Sequence, residues 1–283
     1  MKISSVLLLF LIAASVATPA HAAGNELKLV VDGVTLPTTV APEVKDGHTM
    51  VPLRVVGETI GADVNWANGV VTITQGETKV VLTPGQKGAK VNGKAVTLET
   101  IAYVKEGRVL VPLRFVGETL GCDVGFAYGS VTVKTAPFAI GGTNVAVMRE
   151  EHYNRYYYFI SELRGNYFTS TTYWIFESGK QEAIEAPAQY TSDLSDVPAG
   201  TYKRVAVYDF LDANGKSLKR YEGYVLGEGD RYVIYDATEN QWYTLVEASS
   251  DLWDKMQNAA LDYGFWRDVD GGLNQFPKGE AVR

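Results

Sequence analysis

The chain has 283 residues, of which 46% are hydrophobic and 21% are charged, and its formal net charge is −7. This length exceeds that of a usual single domain, so we expect two domains, and the composition is that of a globular protein with a core. The negative charge and the lack of a long basic cluster argue against nucleic acid or an anionic membrane surface as the main partner.

Residues 1–22 have the layout of a signal peptide for export. Lys2 precedes an apolar run over residues 6–16, and Ala20-His21-Ala22 fits a cleavage site of small residues. The run is too short to span a membrane comfortably, and the alternative is a single N-terminal anchor. We therefore expect a protein that is secreted or held at the cell surface, with no integral membrane segment after signal removal.

An internal repeat organises the first half of the chain. Residues 51–74 recur as residues 111–134 at a constant offset of sixty, and fifteen of the twenty-four positions are identical. Each copy has Asp-Gly or Asn-Gly pairs typical of hairpin turns and an apolar stripe typical of a short helix. The sequence predicts a domain over residues 26–135 made of two antiparallel β-units, about 26–85 and 86–135, with one short helix per copy.

Comparison of the two copies identifies positions that the fold demands. We predict that the prolines end a strand, that each Arg pairs with the Glu four residues later, and that the glycines end the helices. The exchange of Trp for Phe predicts that these two rings are packing residues. These structural positions are Pro52, Arg54, Glu58, Gly61 and Trp66 in the first copy, and Pro112, Arg114, Glu118, Gly121 and Phe126 in the second. Cys122, the single cysteine, replaces Ala62 and is interpreted as a small buried hydrophobe.

The doubled pattern D-G-x-x-x-V-P-L-R, then V-G-E-T-[IL]-G-x-D-V and an aromatic residue, resembles the copper amine oxidase N-terminal-like, or stalk, domain. The resemblance covers about residues 26–135. It implies an antiparallel sheet wrapped on a helix, in an exported protein of Gram-positive bacteria, serving as a spacer or wall-associated module. It does not imply oxidase chemistry. A copper site of that kind needs three imidazoles, and beyond the signal peptide only His48 and His152 are present, so we expect no metal and no cofactor.

The second half, residues 144–283, is predicted to be a tyrosine-rich α+β domain. Fifteen of the seventeen tyrosines and four of the five tryptophans lie after residue 150. The composition favours strands over residues 153–163 and 167–177, and a surface connection over residues 178–200. A β-meander over residues 202–246 and a C-terminal helix from Ser249 or Ser250 to Gly264 follow.

No catalytic signature is found in this half, so we expect a protein without enzymatic activity. Asp268, Asp270 and Asn274 could form a weak calcium loop, but they lack the spacing of an EF-hand. Exposed aromatic rings can stack sugars or grip a peptide, although strands also use them for packing. The candidate ligand-binding residues are Trp174, Trp242 and Tyr243.

The sequence thus predicts a non-catalytic exported protein of the cell surface or cell wall. Its stalk-like domain would be a spacer or anchoring module for the C-terminal domain. One alternative is a glycan- or peptidoglycan-binding module that uses the aromatic residues of the C-terminal sheet, and a second is an unrecognised hydrolase in residues 144–283. The candidate partners are a cell-wall glycan or another surface protein.

Overall fold

A computed structural model of the protein describes residues 27–127, 129–153, 158–192, 198–226, 231–246 and 248–270. The predicted signal peptide lies outside these ranges, as does the end of the hypothetical calcium loop, from residue 271 to Asn274. Asp268 itself lies in a strand, and its carboxylate accepts a hydrogen bond from the Ser161 hydroxyl at 2.7 Å.

The first half consists of short strands and two short helices. In chain order they are β1 (Lys28–Val31), β2 (Val34–Thr35), β3 (Glu43–Lys45), β4 (His48–Pro52), α1 (Leu53–Thr59), β5 (Asp63–Ala67), β6 (Val70–Gln75), β7 (Thr78–Leu82), β8 (Gly88–Val91), β9 (Lys94–Thr97), β10 (Tyr103–Lys105), β11 (Arg108–Pro112), α2 (Leu113–Thr119), β12 (Asp123–Ala127) and β13 (Ser130–Lys134).

These strands form three sheets. Their orders are β12-β13-β1-β2, β10-β11-β4-β3 and β5-β6-β7-β8-β9. In the middle sheet β4 pairs with β11 in an antiparallel register in which Val51 lies opposite Val111, and each strand runs directly into its helix. The order strand, helix, hairpin therefore occurs on both sides of this central pair.

Local sequence explains most of the turns and helix ends in this half. Asp32-Gly33 and Asn92-Gly93 both have positive φ at the two central positions, which is the geometry that predicted hairpin turns of this kind require. Gly61 and Gly121 follow their helices with φ of 87° and 75°, as expected for glycines that end a helix. The predicted turns and helix ends are confirmed.

One pairing was not expected. The first strand, β1, pairs with the last strand of this half, β13, and the two run parallel, with Lys28 opposite Ser130 and Val31 opposite Val133. The expectation of purely antiparallel units is therefore wrong at this place, because the N-terminal strand completes a sheet whose other members come from the far end of the domain.

The second half has the elements β14 (Ala139–Ile140), β15 (Thr143–Asn144), β16 (Val147–Tyr153), β17 (Tyr158–Leu163), α3 (Asn166–Gly179), β18 (Lys180–Ile184), β19 (Tyr190–Thr191), β20 (Tyr202–Leu211), β21 (Ser217–Leu226), β22 (Arg231–Asp236), β23 (Gln241–Leu245), α4 (Ala248–Asp262) and β24 (Trp266–Asp270). The meander from β20 to β23 and the C-terminal helix are confirmed.

A nine-stranded sheet dominates this half, with the order β18-β23-β22-β21-β20-β16-β17-β24 and β19 beside β20. The long helices α3 and α4 cover one face. Phe176 of α3 packs on Tyr208 and Tyr221 of the sheet, with ring centroids 4.7 and 4.9 Å apart. The opposite face carries no helix among the described residues. The whole chain is thus β-rich with four helices in its described part, and α+β in class.

Two predictions for this half are wrong. Residues 167–177 belong to the helix α3, not to a strand. Their Tyr, Thr and Trp side chains favour strands intrinsically, but Phe168, Thr172, Ile175 and Phe176 recur at helical spacing and are buried, so tertiary packing decides the structure. The supposed surface connection over residues 178–200 contains the edge strand β18 and the short strand β19.

The two halves share one continuous hydrophobic core, which runs from Leu29 of β1 to Trp266 of β24. They also meet through polar contacts. Asp32 accepts hydrogen bonds from the backbone and hydroxyl of Thr135 at 2.9 and 2.7 Å and from the backbone N–H of Asn166 at 3.0 Å. The Tyr263 hydroxyl donates to Glu58. The second half is therefore held in a fixed position against the first.

Candidate functional site

The three predicted ligand-binding residues do not form one surface. Trp174 projects from α3 and is 60% exposed, whereas Trp242 is 6% exposed and lies on β23. Tyr243 follows Trp242 in the same strand, so its side chain points to the opposite face of the sheet. The prediction of a shared binding face for Trp174, Trp242 and Tyr243 is therefore wrong.

Trp242 nevertheless lies at the centre of an aromatic group on the face of the sheet that the helices leave uncovered. Its ring centroid lies 4.8 Å from that of Tyr224, 5.0 Å from that of Tyr190 and 5.1 Å from that of Tyr235. Tyr224 is buried like Trp242, while Tyr190 is exposed and Tyr235 is half-buried. Trp242 is thus the floor of the group, and Tyr190 and Tyr235 are the rings that a ligand can touch.

These rings line a pocket of about 610 Å³. We call it the β23 pocket, and its polar lining comes from Glu222, Asn240 and Gln241, with Glu185 on the β18 side. The β-ladder brings the main members together, since Glu222 lies opposite Tyr235 and Tyr235 opposite Trp242. Flat rings beside amide and carboxylate groups suit an amphipathic ligand such as a sugar.

The carboxylate in the β23 pocket is fully engaged. Glu222 accepts hydrogen bonds from Arg204 at 3.2 Å, from Arg220 at 3.1 Å and from the Tyr224 hydroxyl at 2.9 Å. Burial alone would raise the pKa of Glu222, but the charges of Arg204 and Arg220 and the Tyr224 hydroxyl outweigh it and hold the pKa below its usual value. Glu222 is therefore an ionised anchor of the pocket wall, and it holds no proton to transfer near neutral pH.

A second polar cluster lies on the helix-covered face, beside Tyr243. The fully buried Asp236 binds the ammonium groups of both Lys180 and Lys219 with one oxygen, at 2.6 Å each. Glu239 completes the cluster with distances of 3.2 and 2.8 Å to the same two lysines. Burial lowers the pKa of Lys180, but its hydrogen bonds to Asp236 and Glu177 prevail and raise it, so the lysine stays charged.

The carboxylates Glu177, Asp236 and Glu239 lie close enough together to hold a metal ion. Two ammonium groups already neutralise them, however, and each shares its hydrogens among several of these oxygens. Hydrogen bonding to Lys219 is the main reason why the pKa of Glu239 falls to about 2. The cluster is best explained as an ion-pair network that joins α3 to β18, β21 and β22.

A buried carboxyl was not anticipated from the sequence. Glu150 of β16 faces the same side of the sheet as the core residue Met148, and it is almost completely buried. Burial raises its pKa to about 7, against the effect of a hydrogen bond from Tyr208. Its Oε2 atom lies without a hydrogen-bond partner among the described residues. Burial thus brings the pKa of Glu150 into the neutral range.

The structural positions of the first half behave in two ways. Arg54 and Glu58 pair at 3.5 Å, and Arg114 and Glu118 at 3.6 Å, so the four-residue spacing is confirmed. The aromatic rings differ from expectation. Trp66 is 42% exposed and Phe126 is 63% exposed, so the prediction that these two rings are packing residues is wrong. Each ring lies on the same face of its hairpin as a core residue, since Trp66 pairs with Val71 and Phe126 with Val131, but it sits near the hairpin turn and remains exposed.

The aromatic residues of the β23 pocket were missed for two reasons. Side chains alternate along β21 and β22, which places Tyr224 and Tyr235 on the same face as Trp242. This alternation is a signal that the sequence of the meander contains. Tyr190 has no such local signal, because it reaches the pocket through the parallel pairing of β19 with β20.

Cys122 is buried, and burial raises its pKa to about 11, as expected for an unreactive thiol.

Comparison with known proteins identifies the first half only. Residues 30–135 match the copper amine oxidase N-terminal domain family, whose domain is a non-catalytic stalk-type domain. The second half is not recognised. No curated protein matches the chain. Within the described ranges, none of the helices has both the length and the apolar character needed to cross a membrane.

Proposed function

We propose that the chain is a non-enzymatic protein exported by a cleaved signal peptide, and that it acts at the cell surface or in the cell wall. In this proposal residues 26–135 are a duplicated β-unit that serves as a spacer or anchoring module for the second domain. The observation that carries the proposal is the rigid junction between a stalk-type domain and the sheet that follows it.

The geometry of the junction suits a spacer. The chain enters the first domain along β1 and leaves it along the adjacent, parallel β13, so entry and exit lie at opposite ends of the same strand pair. At the exit, Asp32 binds both Thr135 and Asn166, and Phe138 donates its backbone N–H to the Asn166 side chain at 3.3 Å. A spacer needs such contacts, because a loose linker would not hold its cargo in one orientation.

A pull-down of the chain after residue 22 on purified cell wall tests this proposal. The protein should sediment with the wall, and the first domain should be required for sedimentation if it is the anchor. A chain that stays in the supernatant at every salt concentration would contradict a wall-associated role.

The β23 pocket supports a second candidate, the binding of a neutral glycan by the second domain. Tyr190 is exposed at the pocket mouth while Trp242 forms the floor, so Tyr190→Ala removes a contact ring without opening the core. Titration with cell-wall oligosaccharides should then give affinity for the unaltered chain and a clear loss for Tyr190→Ala. Equal affinities would exclude the pocket.

A hydrolase in residues 144–283 has less support. Ion pairs with arginines or lysines help to lower the pKa of Glu222, Glu177 and Glu239, so these three offer no acid near neutral pH, and Glu150, whose pKa is raised to about 7, is almost completely buried. Hydrolysis by paired carboxyls needs one group that holds its proton and one that does not. Assay of the full chain against cell-wall polymers, with release of reducing ends as the readout, checks this point.

A further inference from the structure

Two surface grooves of the first domain have the same construction. The α1 groove, of about 480 Å³, lies between Arg54 at the start of α1, Trp66 of β5 and Arg108 of β11. The α2 groove, of about 120 Å³, lies between Arg114, Phe126 and His48. Ten of the eleven residues that line the α2 groove have their counterpart, sixty positions away, in the lining of the α1 groove.

Each groove is built from both halves of the domain, and Asp262 and Tyr263 of the second half also line the α1 groove. The helix start and the hairpin with the aromatic ring come from one side, whereas the turn with Arg108 or His48 comes from the other side. The antiparallel pairing of β4 with β11 places that turn beside the helix. The grooves are therefore features of the assembled domain, and an isolated unit would not contain them.

The rings that wall the grooves are not needed for the core. Trp66 and Phe126 are 42% and 63% exposed, although an exposed position in a hairpin is usually polar. In both copies a large ring at this position is left in water, so the free energy that its burial would provide is not gained. Its flat apolar face remains available to a ligand. This exposure points to a ligand with a flat apolar face.

The cations beside the rings are also available. Arg54 and Arg114 are well exposed, and their ion pairs with Glu58 and Glu118, at 3.5 and 3.6 Å, contribute little in water. Residues 27–135 carry 11 basic and 10 acidic residues, whereas residues 136–283 carry 14 basic and 22 acidic residues. The second domain as a whole therefore repels an anion while the first is nearly neutral, and each groove holds two basic residues and one carboxylate, Asp262 in the α1 groove and Glu99 in the α2 groove.

We propose that both grooves bind an acidic polysaccharide whose sugar rings carry carboxylates. A sugar face stacks on Trp66 or Phe126, and its carboxylate pairs with Arg54 or Arg114, where a guanidinium can form two parallel hydrogen bonds. This inference rests on the proposed anchoring role of the first domain and gives that role a ligand. A polymer of repeating sugars presents many such units, so rebinding of the same polymer strengthens attachment at each weak site.

The test measures binding of the chain after residue 22 to immobilised polygalacturonate, in which every ring carries a carboxylate, by biolayer interferometry. The methyl ester of the same polymer keeps the rings and removes the charge, and is the matched control ligand. We expect saturable binding to the acid form that weakens as salt rises. Binding to the ester should be at least about tenfold weaker.

Two double variants test the contacts. Trp66→Ala with Phe126→Ala removes both rings, and Arg54→Gln with Arg114→Gln removes both guanidinium groups. Each should weaken binding by about tenfold or more, while circular dichroism stays unchanged because these side chains are exposed. The matched controls, Trp174→Ala for an exposed ring elsewhere and Lys94→Gln for an exposed cation of the same domain, should bind like the unaltered chain.

Three results would overturn the inference. They are no binding to the acid polymer at low salt, equal binding to acid and ester, and double variants that bind like the unaltered chain. If the cell-wall pull-down succeeds while both double variants still sediment, the anchoring role stands and the grooves are not its cause. If the pull-down fails but the grooves bind the polymer, the wall-associated role is the part that fails.

Discussion

The carboxylate of Asp32 accepts a hydrogen bond from the backbone N–H of Asn166, which follows it by 134 residues in the chain. Asp32 lies in the turn after the first strand, and Asn166 is the first residue of α3. The bond satisfies one of the N–H groups that a helix start leaves without an internal partner, and it places a negative charge at the positive end of the helix dipole. The first turn of the stalk-type domain thus supports a helix of the other domain.

Asp32→Ala should destabilise the protein by about 1–3 kcal/mol through the loss of the hydrogen bonds to Thr135 and Asn166. Urea denaturation gives the free energy of unfolding, and hydrogen exchange at the start of α3 should become faster. Asp46→Ala is the matched control, since Asp46 has the same positive φ in an equivalent turn but only a long bond of 3.4 Å from Thr100. Equal losses for the two variants would show that the turn, not the domain junction, sets the effect.

Gly61→Ala should be more harmful than Gly121→Ala, although both glycines end a helix with a positive φ. Alanine at either site costs about 1–2 kcal/mol for the left-handed backbone. At Gly61 the new Cβ would also overlap the Tyr167 ring, about 2.5 Å from its Cε2 atom, whereas nothing lies within 4 Å at Gly121. The difference between the two losses in stability measures the contact between the domains. Equal losses would mean that Tyr167 moves away freely.

The stability of the protein should fall as pH rises from about 4.5 to about 7, because Glu150 ionises at a lower pH in the unfolded chain than in the folded protein. Burial raises the pKa of this carboxyl from 4.5 to about 7 in the folded protein, so below pH 4.5 it is protonated in both states and costs nothing. Above pH 7 the carboxyl is ionised in both states, and holding its charge inside the folded protein costs about 3 kcal/mol at most. Glu150→Gln should therefore stabilise the protein at pH 8 and have little effect at pH 4.5.

Glu162→Gln is the control with the opposite sign. Burial would raise the pKa of Glu162, but the hydrogen bonds and charges of Arg164 and Arg149 outweigh it and lower the pKa. The stability that this ionised group provides is present above its unfolded pKa and is lost as pH falls, so Glu162→Gln should destabilise the protein at pH 8. Thermal unfolding of both variants at pH 4.5 and pH 8 separates the two effects, and parallel pH profiles would contradict the assignment.

Asp236→Asn should destabilise the protein strongly, by about 3–5 kcal/mol, because Lys180 and Lys219 would lose the negative charge that both of them bind inside the protein. Glu239→Gln removes an outer, partly exposed partner and should cost about 1 kcal/mol or less. Adding Ca²⁺ or Mn²⁺ to the unaltered chain should leave Tm unchanged, since the lysines already neutralise this cluster. A metal-dependent rise in Tm that Asp236→Asn abolishes would contradict this interpretation.

The two tryptophans first considered as ligand contacts should respond differently to truncation. Trp242→Ala removes the floor of an aromatic group and should cost about 3–5 kcal/mol, whereas Trp174→Ala changes an exposed ring and should cost about 0.5 kcal/mol or less. Guanidinium denaturation of both variants checks this difference. A large loss for Trp174→Ala would show that its ring packs more tightly than its exposure indicates.

Local rules were sufficient for the parts of the fold that depend on neighbouring residues. The Asp32-Gly33 turn needs only residues that accept a positive φ, and the helix end at Gly61 needs only a residue without a side chain. The meander after Tyr202 follows from the alternation of apolar and polar residues. The helix α3 could not be predicted in this way, because its Tyr-, Thr- and Trp-rich composition favours a strand. Burial of one face against the sheet decides its structure instead.

The candidate sites depend on long-range contacts that a single sequence does not display. Tyr190 reaches Trp242 only because β19 joins β20 in parallel, and Glu150 is buried only because of the strands and helices that surround it. The exchange of Trp66 for Phe126 shows that both copies of the repeat carry an aromatic ring at this position. It does not show whether the ring is covered by other residues or left in water, and the exposure of these two rings makes them candidate contacts.

The pairing of β1 with β13 also determines when the first domain can fold. Leu29 and Val31 bury their side chains on a strand whose partner, Ser130 to Lys134, is synthesised about a hundred residues later. A chain cut before residue 130 leaves β1 with only the two-residue strand β2 as its partner in this sheet. The sheet that contains β1 can therefore be completed only after residue 134 has been made, which links the first residues of the domain to its last ones.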